Sequence, residues 1–237
     1  MLKSLSKLIF KILKKVGIDD PTISLQGALD RCIFRKTEVA TVIDIGASNG
    51  CWSKTVKKYF PRSFYYLIEA NPYHTQALEK LKKEWDHYDY TLAAAGDTIG
   101  EIYFNSSDPL GGLASHIKSE ETNLIVPVTT VDHIIKKYNL RPPYLLKLDT
   151  HGFEIPIFEG AAKTLLNTNL IIVEVYNFDI TSHSLRFYQL CEYLEKKGFR
   201  CIDMCDPLFR NQDKALWQFD LFFIPESSPC FHNNKWL

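Results

Sequence analysis

Residues 42–50 read Val-Ile-Asp-Ile-Gly-Ala-Ser-Asn-Gly, an apolar run that ends in an acid and breaks into a glycine-flanked turn. No other segment limits the fold as much. Lys54-Thr55-Val56-Lys57-Lys58 follows and reads as a helix. A buried strand, a tight turn and a helix N-terminus together make a pocket suited to a nucleotide-like ligand. Nineteen residues after Gly50, Glu69 closes a second apolar run, Phe64–Ile68. An acid at that distance can accept both hydroxyls of a ribose.

The chain has 237 residues, enough for one α/β domain with a full core. Its formal net charge is zero, which argues against a general nucleic-acid binder. The charge is unevenly placed. Lys3, Lys7, Lys11, Lys14 and Lys15 all precede the first acid, Asp19, so residues 16–237 carry a formal charge of minus five. Leu5, Leu8, Ile9, Ile12, Leu13 and Val16 fall among these lysines at helical spacing. Residues 1–18 therefore predict a basic amphipathic helix, either seated on an anionic membrane surface or packed on the domain. Lysines interrupt every apolar run there, so the segment does not read as a membrane span. The apolar stretch is also too short for a signal peptide. Six cysteines show no C-x-x-C pair and no zinc spacing, which suggests reduced thiols in a cytoplasmic protein, peripheral to the inner membrane face if the helix binds lipid.

Beyond Pro21, a helix is expected within residues 22–36, and strands and helices then alternate. Strands are expected at Thr41–Ile45, Phe64–Ile68, Tyr90–Ala95, Tyr144–Leu148 and Leu170–Val175. A short extra strand is expected at Glu101–Phe104, and closing strands at Phe199–Ile202 and Phe219–Ile224. Helices are expected at Lys54–Tyr59, Tyr73–Trp85, Val131–Tyr138, Ile155–Leu166 and Leu185–Lys197. The run Leu170-Ile171-Ile172-Val173 suits a parallel sheet covered on both faces. The pattern predicts a doubly wound α/β domain over residues 19–237, with its ligand beyond the carboxyl ends of the strands.

Four acids fall at that edge: Asp44, Glu69, Asp149 and Glu174. An acid inside an apolar run is costly to bury without a partner. Residues two apart in a strand share a face, so Lys147 and Asp149 project together. Such a pair can simply hold the strand end or can belong to the site. Gly152 permits a sharp turn just beyond, which would leave His151 and Glu154 on the cleft rim. A histidine side chain can serve as a general base, which makes His151 a candidate.

Four of these segments resemble the FkbM-type methyltransferases. Val42–Gly50 is similar to that family's V-D-I-G-A-x-x-G cofactor loop, and Glu69-Ala70-Asn71-Pro72 to its E-P-N-P turn. Leu146–Glu154 is similar to its K-x-D-x-E-G-x-E segment, and Ile172-Val173-Glu174-Val175 to its acid-bearing fifth strand. Val126–Asp132 and Gln218–Leu221 are weaker echoes. His151 stands where many members have an acid, so a carboxylate role there does not carry over.

The resemblance implies a Rossmann-like class I methyltransferase fold using S-adenosylmethionine (SAM), with a mostly parallel, doubly wound seven-stranded sheet and the amphipathic helix at its start. Cofactor contacts are expected from Asp44, Gly46, Ala47, Ser48, Asn49, Gly50, Ser53, Glu69, Ala70, Asn71 and Ala94. Among these, Asp44 would approach the α-amino group and Glu69 the ribose, while Ala93-Ala94-Ala95 would lie against adenine. The resemblance further implies methyl transfer to a hydroxyl, most often of a sugar in a glycan or glycolipid. Asp149 or His151 would be the base, Lys147 and Glu154 would orient it, and Glu174 would flank the acceptor. No metal is expected. Trp52, Tyr73, Tyr176, Phe178 and Phe209 are candidates for stacking on a sugar, and equally for packing. Two rival readings exist, a nicotinamide-dependent oxidoreductase and a non-catalytic module of the same fold. The first lacks its usual G-x-G-x-x-G, because Ala47-Ser48-Asn49 separates Gly46 from Gly50.

Overall fold

The structure is a computed structural model and describes residues 21–108, 111–120, 122, 124–182 and 184–235. The expected helix at residues 1–18 lies outside the described residues. In chain order the main elements are α1 (Leu25–Phe34), β1 (Thr41–Ile45), α2 (Cys51–Val56), β2 (Phe64–Glu69), α3 (Thr75–Glu84), β3 (Tyr88–Leu92), β4 (Ala94–Ala95), β5 (Gly100–Asn105), β6 (Leu113–Ser115), β7 (Leu124–Thr129), α4 (Val131–Tyr138), β8 (Tyr144–Leu148), α5 (Glu154–Glu159), α6 (Ala162–Leu165), β9 (Thr168–Tyr176), α7 (Phe187–Lys196), β10 (Phe199–Phe209) and β11 (Leu216–Pro225).

A seven-stranded sheet in the order β10-β11-β9-β8-β1-β2-β3 forms the centre. Strands β9, β8, β1, β2 and β3 run parallel, and β11 and β10 close the edge antiparallel. All five residues of β1 and all five of β8 are buried, as expected for central strands covered on both faces. Alternation along β1 sends Ile43 and Ile45 into one core and Val42 into the other. Helices α1, α2 and α3 cover the Val42 face through Leu29, Val56 and Leu78. The opposite face is covered by α4 to α7 through Ile134, Phe158, Leu165 and Leu194. No helix among the described residues is long and apolar enough to cross a membrane.

Several expected boundaries move. The helix after β1 begins at Cys51 rather than Lys54, because Gly50 in the left-handed region (φ 74°) caps it early. The third strand ends at Leu92, not Ala95. There the Ala93 N–H makes its bond to the Glu69 carbonyl (2.8 Å), and Ala94 and Ala95 then leave to pair with Val128 and Thr129. This begins a second sheet, β4-β7-β5-β6, that the sequence reading had reduced to one short strand. Pro127 hid β7, since proline weakens a strand assignment; here the pairing with β4 involves only Val128 and Thr129. The helix expected at Ile155–Leu166 breaks in two around Gly160, where any Cβ would meet the Gly96 carbonyl oxygen at 1.9 Å. Asp132 caps the second piece, accepting from Lys163 N (3.0 Å) and Thr164 N (2.8 Å).

Candidate active site

A cleft of about 330 Å³ opens at the carboxyl ends of β1, β2, β8 and β9. That volume lies at the lower end of the usual range for small-molecule sites, about 300–1,000 Å³. One wall comes from the second sheet, through Phe104 of β5 and Ala114 of β6.

The turn after β1 supplies the floor of one half. Gly46 (φ 71°) is obligatory there, because a Cβ would meet the Asp149 carbonyl oxygen at 2.0 Å. Ser48 is also left-handed (φ 50°), which is uphill for a residue with a Cβ. Its N–H donates to Glu69 Oε2 (2.6 Å), and the Asn71 N–H donates to Glu69 Oε1 (2.6 Å). Burial pushes the Glu69 carboxyl up, and the two N–H groups only partly offset that. Of the expected cofactor contacts, Gly46, Ser48, Glu69, Ala70, Asn71 and Ala94 line the cleft. Asn71 Oδ1 accepts from the Tyr73 N–H, while its Nδ2 is buried without a hydrogen-bond partner.

The five other expected cofactor contacts do not line this cleft. Asp44 is fully buried beneath the turn, where Ser53 Oγ donates to it (2.6 Å) and Lys147 Nζ stands 3.3 Å away. Both Asp44 and Ser53 therefore brace the floor and do not line the cleft. Asn49 turns outward to accept from the Cys51 N–H (3.0 Å). Ala47 and Gly50 shape the turn through the Gly50 N–H bond to the Ala47 carbonyl (2.8 Å).

The other half is built on β8 and β9. Register places Lys147 beside Asp44, and its Nζ reaches Asp149 Oδ2 (3.2 Å) and the Gly46 carbonyl (3.1 Å). Burial disfavours the ammonium, but Asp149, Asp44 and Asp220 overcome it, so Lys147 is held charged. Burial likewise opposes ionisation of Asp149, yet Lys147, His151 and a hydrogen bond with Glu174 bring its carboxyl below the ordinary value. Glu174 goes the other way. Burial first, then the adjacent Asp149 charge, push it up to about 8, although Tyr176 donates its hydroxyl to Glu174 Oε1.

His151 (φ 51°) and Gly152 (φ 94°) form a left-handed turn. The turn brings His151 Nε2 to 3.8 Å from Asp149 Oδ1. Ligand-capable atoms of Asp149, His151 and Glu174 all lie within 4.8 Å of one another, so these three side chains could hold a metal ion. Glu154 is not on the rim as expected. It is buried under the turn, where its Oε1 accepts from the Gly152 N–H (2.8 Å) and Thr150 Oγ1 (3.2 Å). Lys147 is buried too, so the pair orients this half from below.

Sequence reasoning passed over three contributors. Asp220 opposes Glu174 across the antiparallel β9–β11 pair, and burial pushes it up to about 6. Trp217 lies edge-on to Tyr176 (5.9 Å) and stacks on Phe178 (5.2 Å). His74 reaches the cofactor turn. Only Asp220 left a trace, in the Gln218–Leu221 echo. Among the aromatic candidates for sugar stacking, Phe178 is already stacked by Trp217 (5.2 Å) and covered by the Arg210 guanidinium (4.0 Å). Tyr73 and Phe209 remain exposed.

The family described as "Methyltransferase FkbM domain" matches residues 44–201. A hexuronic acid methyltransferase of Haloferax volcanii, AglP, is 26% identical over 162 residues, which are 64% of this chain and 64% of that protein. The chain thus spans under two thirds of that relative's length. Among solved structures, an FkbM methyltransferase from Methylobacillus flagellatus superposes with a TM-score of 0.56 at 15% identity, covering 85% of this chain and 47% of that one. A fibrillarin pre-rRNA processing protein from Methanococcus jannaschii gives 0.51 at 14% identity, covering 88% and 77%. At such identities these two likenesses concern the fold.

Proposed function

The chain belongs to the FkbM family of SAM-dependent methyltransferases, and from that premise we propose that it transfers a methyl group from SAM to a hydroxyl oxygen of a sugar in a glycan or glycolipid. The residues of the cofactor half fit SAM. Glu69 retains lone pairs for ribose hydroxyls after accepting its two N–H bonds. The buried Asn71 Nδ2 lacks an acceptor that a bound nucleoside would supply. Ala94 and its neighbours Ala93 and Ala95 leave a flat, small-residue wall for adenine.

When bound, SAM supplies a methyl group already activated on a sulfonium. The protein's share of the work is then positioning and proton removal. Asp149 stays ionised beside Lys147 and lines the cleft with His151 and Glu174. Either Asp149 or His151 takes the acceptor proton, Glu174 flanks the acceptor, and Lys147 and Glu154 keep the strand end and the turn in place. Asp44 and Ser53 act from beneath, by fixing the turn that carries Ser48.

The observation that carries this reading is the convergence of Asp149, His151 and Glu174 within 4.8 Å at the same cleft as Glu69 and the Gly46 turn. A hydroxyl acceptor suits this half better than a carboxylate. A hydroxyl must lose a proton as it is methylated, and Asp149, held ionised beside Lys147, is suited to accept it. The AglP likeness supports a sugar acceptor.

The test is transfer of labelled methyl from SAM onto a panel of neutral and uronic-acid glycosides, including lipid-linked ones. Label should appear on a sugar hydroxyl. Binding of NAD without SAM, or label only on carboxylates, would overturn the reading. The expected peripheral membrane contact through residues 1–18 can be checked separately by liposome co-sedimentation of the chain lacking them.

A further inference from the structure

We infer that His74 is a positioning residue for the cofactor: it ties the Ser48 turn to the segment after β2 and so fixes both N–H groups that hold Glu69. His74 is buried, with 4% of its surface exposed, at the end of the single turn Pro72–His74. Its Nε2 stands 3.3 Å from Ser48 Oγ. The His74 N–H bonds back to the Asn71 carbonyl (3.2 Å). Asn71 and Ser48 are the residues whose N–H groups grip the two oxygens of Glu69. The contacts therefore close into a loop, from Glu69 to Ser48, across the imidazole to His74, along the backbone to Asn71 and back to Glu69.

The loop answers a physical problem. Ser48 sits in the left-handed region, which a residue with a Cβ leaves readily unless its surroundings hold it. Its N–H is held by Glu69 and its side chain by His74. Without the imidazole, the turn is free to relax toward ordinary backbone angles. The Ser48 N–H then swings off Glu69, and one carboxylate oxygen loses its aim. A residue that merely filled space here would need no polar atom facing Ser48. The inference rests on the reading that Glu69 receives the ribose.

Binding of S-adenosylhomocysteine to the whole chain, followed by calorimetry, tests this. His74→Ala and Ser48→Ala should each weaken binding about fivefold, the worth of one ordinary hydrogen bond. The double variant should also be weakened about fivefold, not the roughly 25-fold expected of independent sites. His74→Gln, whose amide can donate or accept at a similar reach, should restore most of the affinity. The melting temperature of the ligand-free Ser48→Ala and His74→Gln proteins should match that of the parent. Should His74→Ala fail to fold, these two variants decide the matter. Glu69→Ala is the control. If it abolishes binding while Ser48→Ala binds like the parent, or while the double variant is weakened by about 25-fold, the role of His74 is overturned. If Glu69→Ala binds as tightly as the parent, the ribose assignment falls and this inference falls with it.

Discussion

Glu69 and Glu174 stand at the same edge of one sheet, yet their carboxyls are held in opposite ways. Glu69 is gripped by two backbone N–H groups at 2.6 Å, from Ser48 and Asn71. Glu174 is hemmed in by other side chains, with Asp149 beside it, Asp220 across the antiparallel pair and the Tyr176 hydroxyl on one oxygen. The first half of the cleft is thus set by main chain and glycine, and the second by competing charges around one lysine. Backbone donors hold a group without titrating, which suits a cofactor that must be held the same way each time. Crowding pushes Glu174 up while Asp149 stays ionised beside Lys147, and an ionised carboxylate would suit the proposed proton removal from an acceptor.

The largest way to break this contrast is to remove the cation. Lys147→Met should leave Asp44 buried and unpaired and cost about 3–5 kcal/mol of stability, read as a lower denaturation midpoint. A cost near zero would mean that the fold does not depend on the Lys147–Asp44 pair. Next, Asp149→Asn should lower methyl transfer by roughly 10²–10⁴-fold, while S-adenosylhomocysteine binds nearly as before. Lost binding would show that the halves are not separable. Glu174→Gln sharpens the comparison through pH. The folded Glu174 titrates at about 8 against an ordinary 4.5, so its protonated form contributes stability that is complete below the ordinary value and is lost as pH rises through about 8. Stability of the parent should fall across that window, and Glu174→Gln should remove most of that slope. Smallest, Asn71→Ala should weaken S-adenosylhomocysteine binding about fivefold by taking away one donor, with the transfer rate at saturating SAM unchanged.

The same contrast governs what could be read from the sequence. The Gly46–Gly50 turn and Glu69 were visible because their contacts are local and backbone angles restrict residue type. Lys147 and Asp149 were visible as a pair because a strand repeats every two residues. Asp220 was obscure, since only the β9–β11 register brings it opposite Glu174. The burial of Glu154 was missed because a left-handed His151 turns the chain over it, and histidine does not announce such an angle as glycine does. The second sheet escaped for a similar reason: β4 has two residues and β6 three, too short for any period to show.

The approach of Gly46 to the Asp149 carbonyl, with no room for even a methyl between them, has a mechanical consequence. The two halves of the cleft meet at their base in direct backbone contact. On the proposed reading, this contact sets the spacing between methyl donor and acceptor floor. A change in acceptor size would then fall to the flanking walls, such as the strip carrying Phe104 and Ala114, and not to the span across which the methyl moves.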